Sequence, residues 1–155
     1  MRLRINSTIR NIKDIIKHKD ILDIGATGMA QGTSMSNRIK DLAGTYTCID
    51  KEEDVQKFDL GETFDVITMF EVLEHVDNPG LAIQQIKKHL KDDGILLLSV
   101  PNIKNIYHLL VQQTQWHLSC WDAKTLYQRL RKDFSTGKIT KINYGRTLLA
   151  ICKNC

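Results

Sequence analysis

The chain has no long hydrophobic run. None approaches the roughly 20 apolar residues of a membrane-spanning helix. The opening Met1-Arg2-Leu3-Arg4-Ile5-Asn6 turns polar before a secretion signal's core of about 7–15 apolar residues can form. No membrane partner and a cytoplasmic location are the resulting expectations. Nor is there a run of like charge: 22 Lys and Arg stand against 18 Asp and Glu, scattered along the chain, for a net charge of +4. That mild balance helps an anion approach, but scattered charges read as solvated faces and do not point to nucleic acid.

Cysteines are few as well. Of Cys48, Cys120, Cys152 and Cys155 only the last two form a C-x-x-C pair, and the second close pair of a thiolate zinc centre is missing. Reduced thiols and no metal are expected. No repeat, low-complexity stretch or linker interrupts the 155 residues, a length that buries one core and is too short for two. With 42% apolar and 26% charged residues, the composition is that of a soluble globular protein.

What is there is an alternation. Apolar residues at Ile5, Ile9, Ile12, Ile15 and Ile16 have helical spacing to about His18. Asp20–Ile24 is a short β-branched strand stopped by Gly25. A helix over about Ser34–Leu42, a strand at Tyr46–Asp50 and a very short third strand at Val55–Phe58 follow. Then come the apolar strand Phe64–Phe70, an amphipathic helix over Pro79–Leu90, a turn at Asp93-Gly94 and the strand Ile95–Val100. Continuous apolar strands alternating with helices predict a mostly parallel, doubly wound α/β sheet covered on both faces. After Pro101 the pattern changes to two helices, near Ile103–Gln113 and Asp122–Lys132. Two strands follow, Lys138–Tyr144 and Thr147–Cys152, joined only by Gly145-Arg146. So short a connection makes an antiparallel hairpin.

Ligands of doubly wound folds lie beyond the carboxyl ends of the strands. The first such end is Leu22-Asp23-Ile24-Gly25-Ala26-Thr27-Gly28-Met29, where glycine lets the backbone turn sharply and a ligand come close. Asp50 ends the next strand about 25 residues on, where a carboxylate can accept both hydroxyls of a ribose. Turn, spacing and acid together predict an adenosine cofactor. They do not separate a dinucleotide from S-adenosylmethionine, although Gly25, Gly28 and Gly32 fit G-x-G-x-x-G badly and the terminal hairpin argues against a dehydrogenase.

From Ile21 to Cys152 the chain resembles the class I S-adenosylmethionine-dependent methyltransferases, in particular the group that modifies small molecules. Its most specific stretch, Phe64-Asp65-Val66-Ile67-Thr68-Met69-Phe70-Glu71-Val72-Leu73-Glu74-His75-Val76, is similar to that group's FDVI…EVLEHV signature. The resemblance continues through Asp77-Asn78-Pro79 to Pro101, and in His117-Leu118 and Trp121–Leu126. It implies a Rossmann-like fold in one domain over 1–155, with an N-terminal helix at 1–19, a cofactor-binding half at 20–100, and substrate-side helices and hairpin at 101–155. It also implies S-adenosylmethionine as cofactor, S-adenosylhomocysteine as product and a small-molecule acceptor. Asp23, Gly25, Ala26 and Gly28 fall on the loop for the methionine end of the cofactor. Asp50, with Lys51 beside it, falls on the ribose-binding acid, Asp59 and Leu60 on the usual adenine position, and Phe70 and Glu71 beside the sulfonium. Two departures stand out. Thr27 and Met29 replace two glycines of D-x-G-x-G-x-G, and only nine positions separate Asp50 from Asp59, where the group carries a helix.

Methyl transfer is a displacement at an activated sulfonium, so the protein mainly supplies alignment, and a base only for a protonated nucleophile. His75 is the first candidate base and His117 the second. Glu71 and Glu74 are candidates to orient the acceptor. Tyr107, His108, Trp116 and Trp121 lie in a segment that can wall the pocket. Only about twenty residues precede the first strand, consistent with an open pocket, a larger substrate or a second copy of the chain. The altered glycine loop favours, as an alternative, a binding module without turnover. The basic balance favours, less strongly, an RNA methyltransferase, although the Asp/Asn-Pro-Pro-Tyr/Phe motif is replaced by Met69-Phe70-Glu71-Val72.

Overall fold

The computed structural model describes residues 2–26, 35–50, 54–106 and 117–154. Within them the elements follow the expected alternation: α1 (Arg2–Ile16), β1 (Asp20–Ile24), α2 (Met35–Leu42), β2 (Thr45–Ile49), β3 (Phe64–Phe70), a 3-10 turn (Leu73–His75), α3 (Pro79–Lys88), β4 (Leu90–Pro101), α4 (Ala123–Leu130), β5 (Ser135–Ile142) and β6 (Thr147–Lys153). Of the expected helix at Ile103–Gln113, residues 107–113 lie outside the described residues. The six strands form one sheet in the order β2-β1-β3-β4-β6-β5. The pairs among β1 to β4 are parallel, and β6 is antiparallel to both β4 and β5.

Successive strand residues point to opposite faces, which is why apolar runs without polar alternation suit this sheet. Leu22, Ile24, Ile67, Met69, Leu96, Leu98, Leu148 and Ala150 pack on one face beneath α3 and α4, whose Ala82, Ile83, Ile86, Leu126 and Leu130 are buried there. Ile21, Val66, Leu97 and Leu149 pack on the other with Ile12 and Ile16 of α1 and Ile39 of α2. Both faces of the central strands are covered, so β3, β6 and the Ile95–Val100 part of β4 are largely apolar, while the edge strands β2 and β5 carry exposed polar residues. No described helix is long and apolar enough to cross a membrane.

Three expectations need correction. Val55–Phe58 is a turn and not a strand. Lys57 and Phe58 donate their backbone N–H groups to the Asp54 carbonyl, and the Asp54 carboxylate accepts from the Gln56 N–H, so local bonds satisfy this backbone without a sheet partner. β4 also begins at Leu90, before the Asp93-Gly94 turn. Phe64 pairs with Leu90 and Val66 with Ile95, so the turn survives as an irregularity inside the strand, with Asp93 at φ 62°. Finally, the hairpin's first strand begins three residues earlier than expected, at Ser135.

Cys152 is buried in β6, and burial pushes its thiol up to about 12, which keeps it protonated at neutral pH. Its C-x-x-C companion Cys155 lies outside the described residues.

Candidate active site

The parallel strands end together. Ile24 stands opposite Ile49 and Met69, and Phe70 opposite Ser99, so the turns after β1, β2 and β3 share one edge of the sheet. The Gly25 N–H donates to the Ile49 carbonyl at 2.9 Å, which seats the β1 turn beside Asp50, a half-buried residue at the end of β2. Gly25 is held at φ 80°, and a Cβ built there would lie 2.4 Å from Cγ2 of Val72 in the turn after β3. Both the dihedral and the contact therefore require glycine. The Ala26 carbonyl next to it accepts from Ser36 Oγ of α2 at 3.1 Å.

Asp23 lies below this edge. It is 3% exposed, and its carboxylate accepts from Thr68 Oγ1 at 2.6 Å and Tyr46 Oη at 2.8 Å. Burial raises its pKa, opposed by hydrogen bonds from Thr68, Ser36 and Tyr46. Burial and the Asp23 charge likewise push the Tyr46 phenol up. The carboxylate thus joins β1, β2, β3 and α2 beneath the loop.

At the end of β3, half-buried Phe70 packs on the α1–α2 face. Glu71 then turns the chain in the left-handed region at φ 57°, a conformation that non-glycine residues hold only when their surroundings enforce it. Here Ser99 enforces it. Its carbonyl accepts the Glu71 N–H and its hydroxyl donates to Glu71 Oε1, both at 2.9 Å. The 3-10 turn follows, with Glu74 1% exposed. The Glu74 carbonyl accepts from the N–H groups of Leu118 and Ser119 at 2.8 and 3.1 Å. These bonds bring His117 edge-on to His75, ring centroids 5.0 Å apart, while His75 Nε2 lies 3.9 Å from Glu74 Oε1.

The structure therefore brings Gly25, Ala26, Asp50, Phe70, Glu71, Glu74, His75 and His117 to one edge, with Asp23 beneath. Asp59 and Leu60 are elsewhere. The short connection after Asp50 follows α3 from its start to its end: Gln56 Oε1 accepts from Asn78 N, the Phe58 carbonyl from Gln85 Nε2, and Leu60 N donates to His89 Nε2 at 3.2 Å. The His89 carbonyl in turn accepts from Phe64, the first residue of β3. Asp59 and Leu60 thus lie by the amino end of β3, with the Asp59 side chain 82% exposed. Among the described residues 54–59 the connection forms a turn and no helix. Gln56, the residue that the connection sets beside the start of α3, was not singled out by sequence reasoning, nor were Thr68, Tyr46 and Ser99. Thr68 and Ser99 were legible as the hydroxyls within otherwise apolar strands.

Trp121 is buried in the core beneath α3 and α4, in an ordinary packing position. Gly28, Lys51, Tyr107, His108 and Trp116 lie outside the described residues.

The fold has counterparts. The fold is similar to the N-methyltransferase NodS of Bradyrhizobium japonicum WM9, solved with S-adenosyl-L-homocysteine (TM-score 0.77, 18% identity, 99% of this chain and 86% of that one). It is also similar to the 1,6-didemethyltoxoflavin-N1-methyltransferase of Burkholderia thailandensis (TM-score 0.73, 16% identity, 95% and 78%). In sequence the chain is similar to the ubiquinone biosynthesis O-methyltransferase of Glaesserella parasuis serovar 5, 56% identical over 41 residues, which are 26% of this chain and 17% of that protein. The mitochondrial protein of the same description from Candida albicans is 31% identical over 96 residues, 62% of this chain and 27% of that one. The matches thus span 17% and 27% of the lengths of those two relatives. The family model described as a methyltransferase domain matches residues 5–133, and the chain belongs to that family.

Proposed function

We propose that the protein transfers a methyl group from S-adenosylmethionine to a small-molecule acceptor, the whole chain acting as one domain. The observation that carries this reading is the junction of the β1 and β2 ends. There a glycine that tolerates no Cβ is hydrogen-bonded across to the residue preceding a strand-end carboxylate. Such a junction fits the cofactor: Gly25 and Ala26 offer backbone without side-chain bulk to its methionine portion, and Asp50 offers two acceptor oxygens to its ribose hydroxyls. Asp23 holds the loop from below. Phe70 and Glu71 border the reacting centre on the β3 side.

When bound, S-adenosylmethionine supplies an electrophilic methyl group on a sulfonium. The chain's own work is to align the acceptor and exclude water. Glu71, fixed by Ser99, and Glu74 orient polar groups of the acceptor. His75 and His117 are the groups at this edge able to take a proton from an acceptor hydroxyl or ammonium. The names of the curated relatives support an oxygen acceptor on a small molecule, over the part of those proteins that this chain matches.

The test is calorimetric titration with S-adenosylmethionine and S-adenosylhomocysteine, with NAD as control. Both sulfur compounds are expected to bind and NAD not. Asp50→Ala is expected to weaken binding by about 1–3 kcal/mol, the range for a polar contact left unmade. A folded protein that binds neither sulfur compound, or an Asp50→Ala variant that binds them as well as the parent, contradicts the reading.

A further inference from the structure

We propose that Glu74, His75 and His117 form a binding site for one divalent transition-metal ion, with zinc the best-fitting cation. Each residue offers a ligand atom, and the three atoms lie within 4.8 Å of one another. The expectation of no metal rested on cysteine spacing, which does not bear on a histidine–carboxylate set.

The donors and their mounting carry the inference. Two imidazole nitrogens and one carboxylate oxygen are a donor set that suits zinc and its first-row neighbours. They are held on two segments already tied together. Leu118 N and Ser119 N donate to the Glu74 carbonyl, and Ser119 Oγ lies 3.5 Å from the Leu73 carbonyl. The 3-10 turn and the 117–119 segment therefore meet through backbone bonds, and the ligands are placed before any ion arrives. The two rings meet edge to face, while the third ligand is a carboxylate 1% exposed. A buried carboxylate facing two nitrogen donors is an arrangement that a cation stabilises strongly.

The spacing needs only modest adjustment. With ligand bonds of about 2.0–2.2 Å, a tetrahedral ion sets its ligand atoms roughly 3.4 Å apart. His75 is exposed and His117 half-exposed, so rotation of the two rings can close the set around the fixed carboxylate. Three protein ligands leave a coordination position open, here at the edge of the sheet where β3 ends. An imidazole nitrogen that ligates a cation no longer accepts a proton, so with the ion bound this pair fixes geometry instead. The site stands whether or not the chain transfers methyl groups.

The experiment strips the full chain with a chelator and titrates it with zinc chloride by calorimetry. Cobalt(II) absorption reports the donor type. The expected result is one equivalent of zinc, bound at least 10-fold more weakly by His75→Ala and by His117→Ala, and likewise by Glu74→Gln, the near-isosteric change at the buried ligand. Zinc raises the thermal midpoint of the parent and not that of His117→Ala, whose metal-free midpoint matches the parent's. The double variant Cys48→Ser/Cys120→Ser, which removes the two exposed thiols among the described residues, binds as the parent does, and the cobalt protein lacks thiolate charge-transfer absorption. Failure to bind an equivalent of zinc overturns the proposal. So does zinc binding that survives both histidine changes, or binding that vanishes in the cysteine variant.

Discussion

Gly25→Ala is expected to abolish S-adenosylhomocysteine binding and to lower stability by about 2–5 kcal/mol. Two effects add. An alanine at φ 80° pays roughly 1–2 kcal/mol for the left-handed backbone. The added methyl, 2.4 Å from Val72 Cγ2, forces the β1 and β3 turns apart, and overpacking of this kind costs about 1–3 kcal/mol. The double variant Gly25→Ala/Val72→Ala removes the clash and keeps the dihedral strain. Chemical denaturation should therefore show that it recovers the packing share only, and titration should show partial return of binding. A Gly25→Ala protein as stable as the parent would show that the turn does not have this geometry.

The second large effect is at Asp23. Asp23→Ala leaves the half-buried Tyr46 hydroxyl without its Asp23 acceptor and the fully buried Thr68 hydroxyl with only the long contact to the Leu22 carbonyl at 3.5 Å, and the expected loss is about 2–4 kcal/mol. Asp23→Asn keeps an acceptor and removes the charge, so it should lose much less. The pH dependence separates the two causes. Burial raises the Asp23 pKa above the ordinary aspartate value of 3.8. Between that value and the raised one, the unfolded chain has released a proton that the folded chain still holds. Stability then falls as pH rises through this window. Asp23→Asn abolishes that dependence, so the parent's stability relative to Asp23→Asn should decline from about pH 4 upward, as denaturation at a series of pH values would read. A difference that grows in the parent's favour with rising pH would mean that hydrogen bonds to the carboxylate outweigh its burial.

Much of this architecture was legible in the sequence because the sheet is buried on both faces. The runs at Phe64–Phe70 and Ile95–Val100 announce such strands directly, and the Gly145-Arg146 connection allowed only a hairpin. The candidate site was legible where it sits on strand ends: Gly25, Asp50 and Glu71 follow from the ends of β1, β2 and β3. It failed where position depends on a connection's path. Asp59 and Leu60 were assigned from the position that usually meets the adenine in the resembling group, yet the described residues from Asp54 onward run along α3 to His89. Asp23 was placed on the loop for the cofactor's methionine end, and its carboxylate turns inward to Thr68 and Tyr46, partners 45 and 23 residues away. The grouping of Glu74 and His75 with His117 depends on two long-range backbone bonds and has no local signature in the chain.

The most direct test of the central claim is amide hydrogen exchange on the full chain with and without S-adenosylhomocysteine. The account predicts slowed exchange at residues 23–26 and 49–50 and in the turn after Phe70, with none at Asp59 to Thr63. Protection at Asp59 to Thr63 without protection at Gly25 and Asp50, or no protection anywhere at saturating ligand, would contradict it.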